Sequence, residues 1–219
     1  MTQPLAALTG ESLGWGGHVA LRGVTLRVDP GEQIVLLGRS GAGKSTLLAA
    51  LHDRIARRAA LVPQDHGLIG VLSVFHNVWM GVLDDHGTGR NLRTLIWPSR
   101  AERARVEAVL RVVGLSDLGR RPVAQLSGGQ RQRVALARAL LRGGDIVLGD
   151  EPVTALDPAQ GAALLDHLTQ AFPTLVLSLH DVDQALAVAT RIVGLRGGTI
   201  ALDAAATDLT ATDLLQLYR

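Results

Sequence analysis

The chain has 219 residues, 47% of them hydrophobic, with no cysteine and a formal net charge of +2. That length and apolar content exclude a disordered chain and allow one substantial core, while the missing cysteines exclude disulfides and thiolate metal sites. Aromatics are only 3% and the arginines scatter among helical positions without aromatic interleaving, a pattern of solvated faces rather than a nucleic-acid track.

In chain order, residues 5–33 read as strands and turns. Val24-Thr25-Leu26-Arg27-Val28 alternates with period two and stops at Asp29-Pro30-Gly31, a turn signal. Gln33–Leu37 reads as a buried parallel strand running into Gly38-Arg39-Ser40-Gly41-Ala42-Gly43-Lys44-Ser45-Thr46. That string fits G-x-x-x-x-G-K-[ST], the phosphate-binding P-loop. Glycines let successive backbone N–H groups turn inward around the phosphates at a helix N-terminus. Lys44 is the single lysine among 22 basic residues. Its compact ammonium reaches between β- and γ-phosphates where a planar guanidinium fits poorly, and Ser45 offers a hydroxyl to Mg²⁺.

The helix leaving the loop runs through Leu47–Leu51 and on through Asp53–Arg58, almost straight into a short strand at Ala60–Gln64. Gly87-Thr88-Gly89 marks a loop. Pro98-Ser99 starts a helix with Ser99 as N-cap and Glu102 completing a capping box, and that helix ends at Gly114. Ser127-Gly128-Gly129-Gln130 stands before another helix, so its backbone N–H groups and a serine hydroxyl form a second anion grip. Two grips and room for one bound triphosphate imply that the second serves another subunit. Asp145–Gly149 and Thr174–Ser178 are further buried strands, separated by a helix over Ala159–Ala171. Asp150, at the end of the first, is placed to hold Mg²⁺ through water and Glu151 to polarise an attacking water; the plainer reading is an acidic loop after a buried strand. Strands alternating with helices give an α/β domain with a mostly parallel sheet, one domain over 1–219 with a helical subdomain at roughly 70–142.

Six segments in this order resemble the ATP-binding subunit of an ABC (ATP-binding cassette) transporter. They are the P-loop, Gln64 after Val62-Pro63, Leu126–Gln130, Asp150-Glu151, Thr154-Ala155-Leu156-Asp157 and Ser178-Leu179-His180-Asp181. The resemblance implies a P-loop NTPase fold of the ABC type, with an N-terminal antiparallel β subdomain and a helical subdomain. It also implies ATP and Mg²⁺, and two subunits closed head to tail on two ATP molecules. Each ATP would lie between one P-loop (Gly38, Ser40, Gly41, Ala42, Gly43, Lys44, Ser45 and Thr46) and the partner's Ser127, Gly128, Gly129 and Gln130. Asp157 would belong to the D-loop beside the nucleotide, Glu151 would be the general base, and His180 would contact the γ-phosphate and hold the reacting water. Gln64 would sense the Mg²⁺ held by Ser45 and Asp150, and link to the membrane subunits. Trp15 falls where the family stacks adenine and would do so here; the plainer reading is a partly exposed turn residue between Gly14 and Gly16.

From Lys44 to Gln64 the chain advances only 20 residues, where relatives carry extra strands. The antiparallel subdomain is therefore expected to be reduced, with ATP held mainly by its phosphates. Histidines 18, 52, 66, 76, 86 and 167 show no metal-ligand spacing.

Leu72–Val78 with Gly81, Leu92–Leu95 and the C-terminal stretch from Leu179 to Tyr218 resemble the phosphonate-importer branch. In the first of these, exposed apolar residues would form a docking face for a membrane subunit. The implied role is an importer ATPase on the cytoplasmic face of the membrane. Its partners would be integral-membrane permease subunits, a second ATP-binding subunit (a copy or a paralogue) and a substrate-binding protein, but no nucleic acid. Amino-acid import, an exporter or lipoprotein-release complex and a non-transport ABC ATPase are the alternatives.

Overall fold

The computed structural model describes residues 3–55 and 59–218. Two strands open it, β1 (Ala6–Trp15) and β2 (His18–Val28), paired antiparallel. Their two-residue loop, Gly16-Gly17, has positive φ at both positions, the backbone whose twist matches a hairpin. In β2 the alternation buries Val24, Leu26 and Val28 and leaves Thr25 and Arg27 outside. Among the described residues this pair makes up the whole antiparallel sheet, as the short Lys44–Gln64 segment leads one to expect.

In chain order follow β3 (Gln33–Leu37), α1 (Lys44–Ile55), β4 (Ala59–Val62), α2 (Val74–Trp79), α3 (Thr88–Ile96), α4 (Arg100–Val112) and α5 (Gly128–Arg142). Next come β5 (Ile146–Asp150), α6 (Pro158–Ala171), β6 (Thr174–Ser178), α7 (Val182–Val188), β7 (Arg191–Arg196), β8 (Thr199–Ala205) and α8 (Ala211–Leu215). Residues 56–58 of the expected helix run lie outside the described residues; α1 is described to Ile55.

The central sheet has the order β4-β5-β6-β3-β7-β8 and is parallel except for the edge hairpin β7–β8. Both its faces are covered, which is why β3, β5 and β6 read as continuous apolar runs rather than alternating ones. Val35, Leu37, Val147, Leu175 and Leu177 point into a core shared with α2 and α4–α8. Ile34, Leu36, Ile146, Leu148 and Val176 point into a second core against the β1–β2 hairpin and α1. Each such fully buried aliphatic side chain contributes about 1.5–3 kcal/mol. Arg54 on α1 also ion-pairs with Glu11 on β1. The sheet thereby presents the ends of β3 and β5 side by side with β6, where the loops that carry chemistry begin.

Two expectations for the helical region are corrected. Gly87-Thr88-Gly89 is not a loop: Gly87 is the N-cap of α3 and the helix starts at Thr88. The Asn91 amide fixes that start by donating to the carbonyls of Leu83 and His86 at 3.0 and 3.2 Å. Nor is Leu72–Val78 an exposed apolar face. Val74 and Val78 are core residues, because α2 packs on α5, and the fully buried Asn77 ties this turn to the backbone of Ile69, Leu72 and Ser73. The apolar side chains left outside in this region are Ile69 and Val71 before α2, Val112 at the end of α4 and, on and after α3, the group Leu92, Leu95, Ile96 and Trp97, the last 75% exposed.

The expected capping box at Ser99 and Glu102 is present, and Glu102 does more than cap. Almost wholly buried, it is ion-paired by Arg90 and Arg93 of α3. Burial pushes its carboxyl up, but the Ser99 N–H and hydroxyl, the Thr94 hydroxyl and Arg90 together outweigh that and hold it down at about 2. A depressed carboxylate stabilises the fold above its ordinary pKa of 4.5 and loses that contribution as pH falls toward about 2. Glu102→Gln is therefore expected to cost about 1.5–3 kcal/mol at neutral pH, and urea titrations should show the gap closing between pH 4.5 and 2. A gap that persists at the acid end would mean the charge is not what matters.

Candidate nucleotide site

The loop between β3 and α1 folds as the P-loop pattern requires. Gly38 has φ of 147° and lies so close to β7 that a Cβ there would sit 2.4 Å from the Leu195 carbonyl oxygen, so no larger residue fits. Lys44 is the first residue of α1, is 5% exposed, and donates from Nζ to the carbonyl oxygens of Gly38 at 2.7 Å and Arg39 at 3.2 Å. Burial pushes its ammonium down; the carboxylates of Glu151 and Asp150 oppose that. The lysine thus spans its own loop, held where phosphate oxygens can replace the two carbonyls.

A cleft of about 250 Å³ opens here, walled by Trp15, His18, Ala20, Ser40, Gly41, Gly43, Lys44, Ser45, Thr46, Gln64 and Glu151. Beside it lies a second hollow of about 200 Å³, where Ser45, Gln64 and Asp150 meet. Trp15 stands at the mouth on β1, 58% exposed. A larger cavity, about 490 Å³, lies in the helical region around Phe75, Arg103 and Leu110. Its walls come mostly from α2 and α4, and none of its lining residues belongs to the P-loop cleft or the hollow beside it.

Parallel pairing of β5 with β6 sets Asp150 opposite Ser178. The buried Ser178 hydroxyl donates to Asp150 Oδ1 at 2.6 Å and accepts from the Glu151 N–H at 2.9 Å. Glu151 takes φ of 52°, a left-handed backbone that is rare outside glycine and concentrated at functional sites. Its Oε1 lies 2.5 Å from Nε2 of His180, so two residues 29 apart in sequence meet over the end of the sheet. Gln64 follows β4, and the bend behind it is clasped by Arg138 of α5, which donates to the carbonyls of His66 and Gly67 at 2.7 Å each.

The structure therefore brings together Trp15, the P-loop residues, Gln64, Asp150, Glu151 and His180. Ser127–Gln130 and Asp157 are not among the walls of that cleft. Ser127 is the N-cap of α5 and Gln130 closes a capping box with it, at an exposed turn. Asp157 N-caps α6, accepting from the Gln160 N–H at 3.0 Å. Two functional residues lie outside the motifs' expected roles: Ser178, and Gln132, whose amide donates to the Glu151 carbonyl and accepts from the Ala155 N–H. Once β5 and β6 are both read as parallel strands ending at this site, a serine ending one beside an aspartate ending the other is a usable signal. For Gln132 the only hint is its place two residues past Gln130.

A glycine loop entering a helix, an embedded lysine, and two acids at the end of a parallel strand one removed in the same sheet define a P-loop nucleoside-triphosphate-binding protein. The match to known proteins is narrower. The family model described as "ABC transporter" matches residues 21–154, more than half of the chain. The phosphonates import ATP-binding protein of Anaeromyxobacter dehalogenans is 38% identical over 98% of this chain, although the chain spans only about half (48%) of that relative's length. A phosphite import ATP-binding protein from Stutzerimonas stutzeri is 38% identical, with 93% of this chain and 82% of the relative covered. Among solved structures, a dimeric post-hydrolysis state of an ATP-binding cassette bound to ADP and Pi superposes with a TM-score of 0.79 at 26% identity, covering 91% of this chain and 98% of that one. The chain belongs to the ABC transporter family, as an ATP-binding subunit that hydrolyses ATP. Among the described residues no helix is long and apolar enough to cross a membrane.

Proposed function

We propose that this chain, acting over 1–219 as one ATPase domain, drives import of a small phosphorus oxyanion of the phosphonate or phosphite type through membrane subunits. The observation that carries its part in this is the Glu151–His180 pair standing over the Lys44 cleft. The substrate class rests on the relatives, which are named for phosphonate and phosphite import.

In this reading the N–H groups from Gly38 to Thr46 and the Lys44 ammonium hold the ATP phosphates, and Trp15 lies against adenine. Glu151 accepts a proton from the attacking water, and His180 orients the γ-phosphate and that water. The hydroxyl of Ser45, the amide oxygen of Gln64 and the carboxylate of Asp150 are the hard oxygen donors that suit Mg²⁺. Bound there, the ion would offset charge on the β- and γ-phosphate oxygens. Ser127, Gly128, Gly129, Gln130 and Asp157 stand outside the cleft because they serve the ATP of a second copy, closed head to tail. The exposed apolar residues of α3 face the permease, and a substrate-binding protein delivers the anion to it.

Reconstitution of the chain with the permease and binding protein of its source in proteoliposomes tests the assignment. Methylphosphonate or phosphite should raise ATP hydrolysis several-fold, and a polar amino acid should not. The reverse pattern would move the chain to an amino-acid importer.

A further inference from the structure

Gln132 lies in the second turn of α5 and is almost wholly buried. Its amide spans the turn after β5: Nε2 donates to the Glu151 carbonyl at 2.8 Å and Oε1 accepts from the Ala155 N–H at 2.8 Å. The Glu151 N–H is held in turn by Ser178, through Oγ at 2.9 Å and the carbonyl oxygen at 3.2 Å. Both backbone polar groups of Glu151 are thus fixed from outside its own turn. With N–H and C=O pinned and φ at 52°, the direction of its Cα–Cβ bond is set. Only the side-chain torsions then remain to bring the carboxylate to His180.

A second contact joins the same two segments. Gly129 backs onto this turn so closely that a Cβ there would meet the Ala155 carbonyl oxygen at 2.9 Å. Gly129 and Gln132 are three apart on α5, hence neighbours on one helix face. That face is seated on Glu151–Ala155 by a backbone contact at one point and a two-ended amide at the other.

We infer that Gln132 is a positioning residue that keeps the general base in register with the Ser127–Gln130 loop of the same chain. The carboxylate acts on this chain's own ATP and the loop acts on the partner's, so one buried amide makes the two half-sites shift as a unit. This rests on the head-to-tail reading above. A residue that only filled space would be replaceable by an apolar side chain of similar shape. A positioning residue is not, because misplacing a reacting group by about 1 Å costs on the order of a hundredfold in rate.

The test uses the purified chain with Gln132→Met and Gln132→Leu, which keep the volume and remove both hydrogen bonds. Gln132→Glu keeps the acceptor for Ala155 and loses the donor to Glu151. The apolar variants should lower kcat by about ten- to a hundredfold while KM for ATP stays within about threefold, and Gln132→Glu should fall between them and wild type. In mixed dimers whose other subunit carries Lys44→Ala, Gln132→Leu should slow the surviving site from either position. On the intact P-loop subunit it acts through Glu151, and on the Lys44→Ala subunit through the donated loop. Wild-type kcat in folded apolar variants overturns the inference, as does an effect confined to one placement. Glu151→Gln measured alongside separates the two layers: if it hydrolyses ATP like wild type, the base assignment itself fails; if it is inactive while the Gln132 variants are normal, only the inference does.

Discussion

Glu151→Gln is expected to lower ATP hydrolysis by about 10²–10⁴-fold, the range a positioned general base contributes, while leaving ATP binding in place. Gln has the shape of Glu, so the backbone at φ 52° and its bonds to Ser178 and Gln132 should survive. What disappears is a carboxylate able to take the proton of the attacking water. The side chain that remains can still meet His180, now without charge on the oxygen that lies 2.5 Å from Nε2. In the head-to-tail pair proposed above, closure would end when ATP is hydrolysed, so the variant should also accumulate as an ATP-bound dimer. Size-exclusion chromatography with and without ATP reads this directly, alongside phosphate release. A variant that turns over ATP at the wild-type rate would place the base elsewhere.

Lys44→Ala should weaken ATP binding by about one to two powers of ten, the loss that follows removal of hydrogen bonds from a charged donor. The wild-type ammonium is buried and bonded to two carbonyls of its own loop, so it is pre-placed and little ordering remains to be done when phosphate arrives. The informative experiment is the mixed dimer. A Lys44→Ala subunit should keep its Ser127–Gln130 loop, because the capping box that shapes it is closed by Ser127 and Gln130 themselves, whereas Lys44 bonds to the carbonyls of its own loop. One wild-type and one altered subunit should therefore bind a single ATP tightly, at the wild-type P-loop, with the altered chain supplying the other grip. Equilibrium dialysis with labelled ATP gives the stoichiometry. Two tight sites, or none, would mean that the two grips are not shared across the pair.

What was legible in the sequence was whatever is contiguous. The P-loop, its strand and its helix are one unbroken stretch, and Ser99 with Glu102 is a local pair, so residue type and spacing carried both. Contacts made across parallel strands become legible only once the pairing of those strands is known. Nothing near Asp150 announces Ser178, which becomes its neighbour only through the register of β5 against β6. Gln132 and Glu151 are joined by the way α5 packs down on the end of the sheet. Gly87-Thr88-Gly89 misled because glycine and threonine serve both turns and helix starts, and the deciding bonds come from Asn91 further along. In Leu72–Val78, apolar content alone could not separate a docking face from a core. Packing of α2 on α5 decided it, and the exposed apolar side chains turned up on α3 instead.

The isolation of Lys44 has a chemical consequence. Every other basic side chain except histidine is a guanidinium, which acyl-transfer chemistry of the kind that neutralises amines does not touch. On this chain such chemistry has one side-chain amine as its target, and it belongs to a residue only 5% exposed beside the phosphate loop. An acyl group on Nζ would cancel the charge and fill the space where phosphate belongs, so acylation could not tune this protein's surface by degrees. It would act as an on–off modification of the nucleotide site, and a bound nucleotide would shield the one side-chain amine open to it.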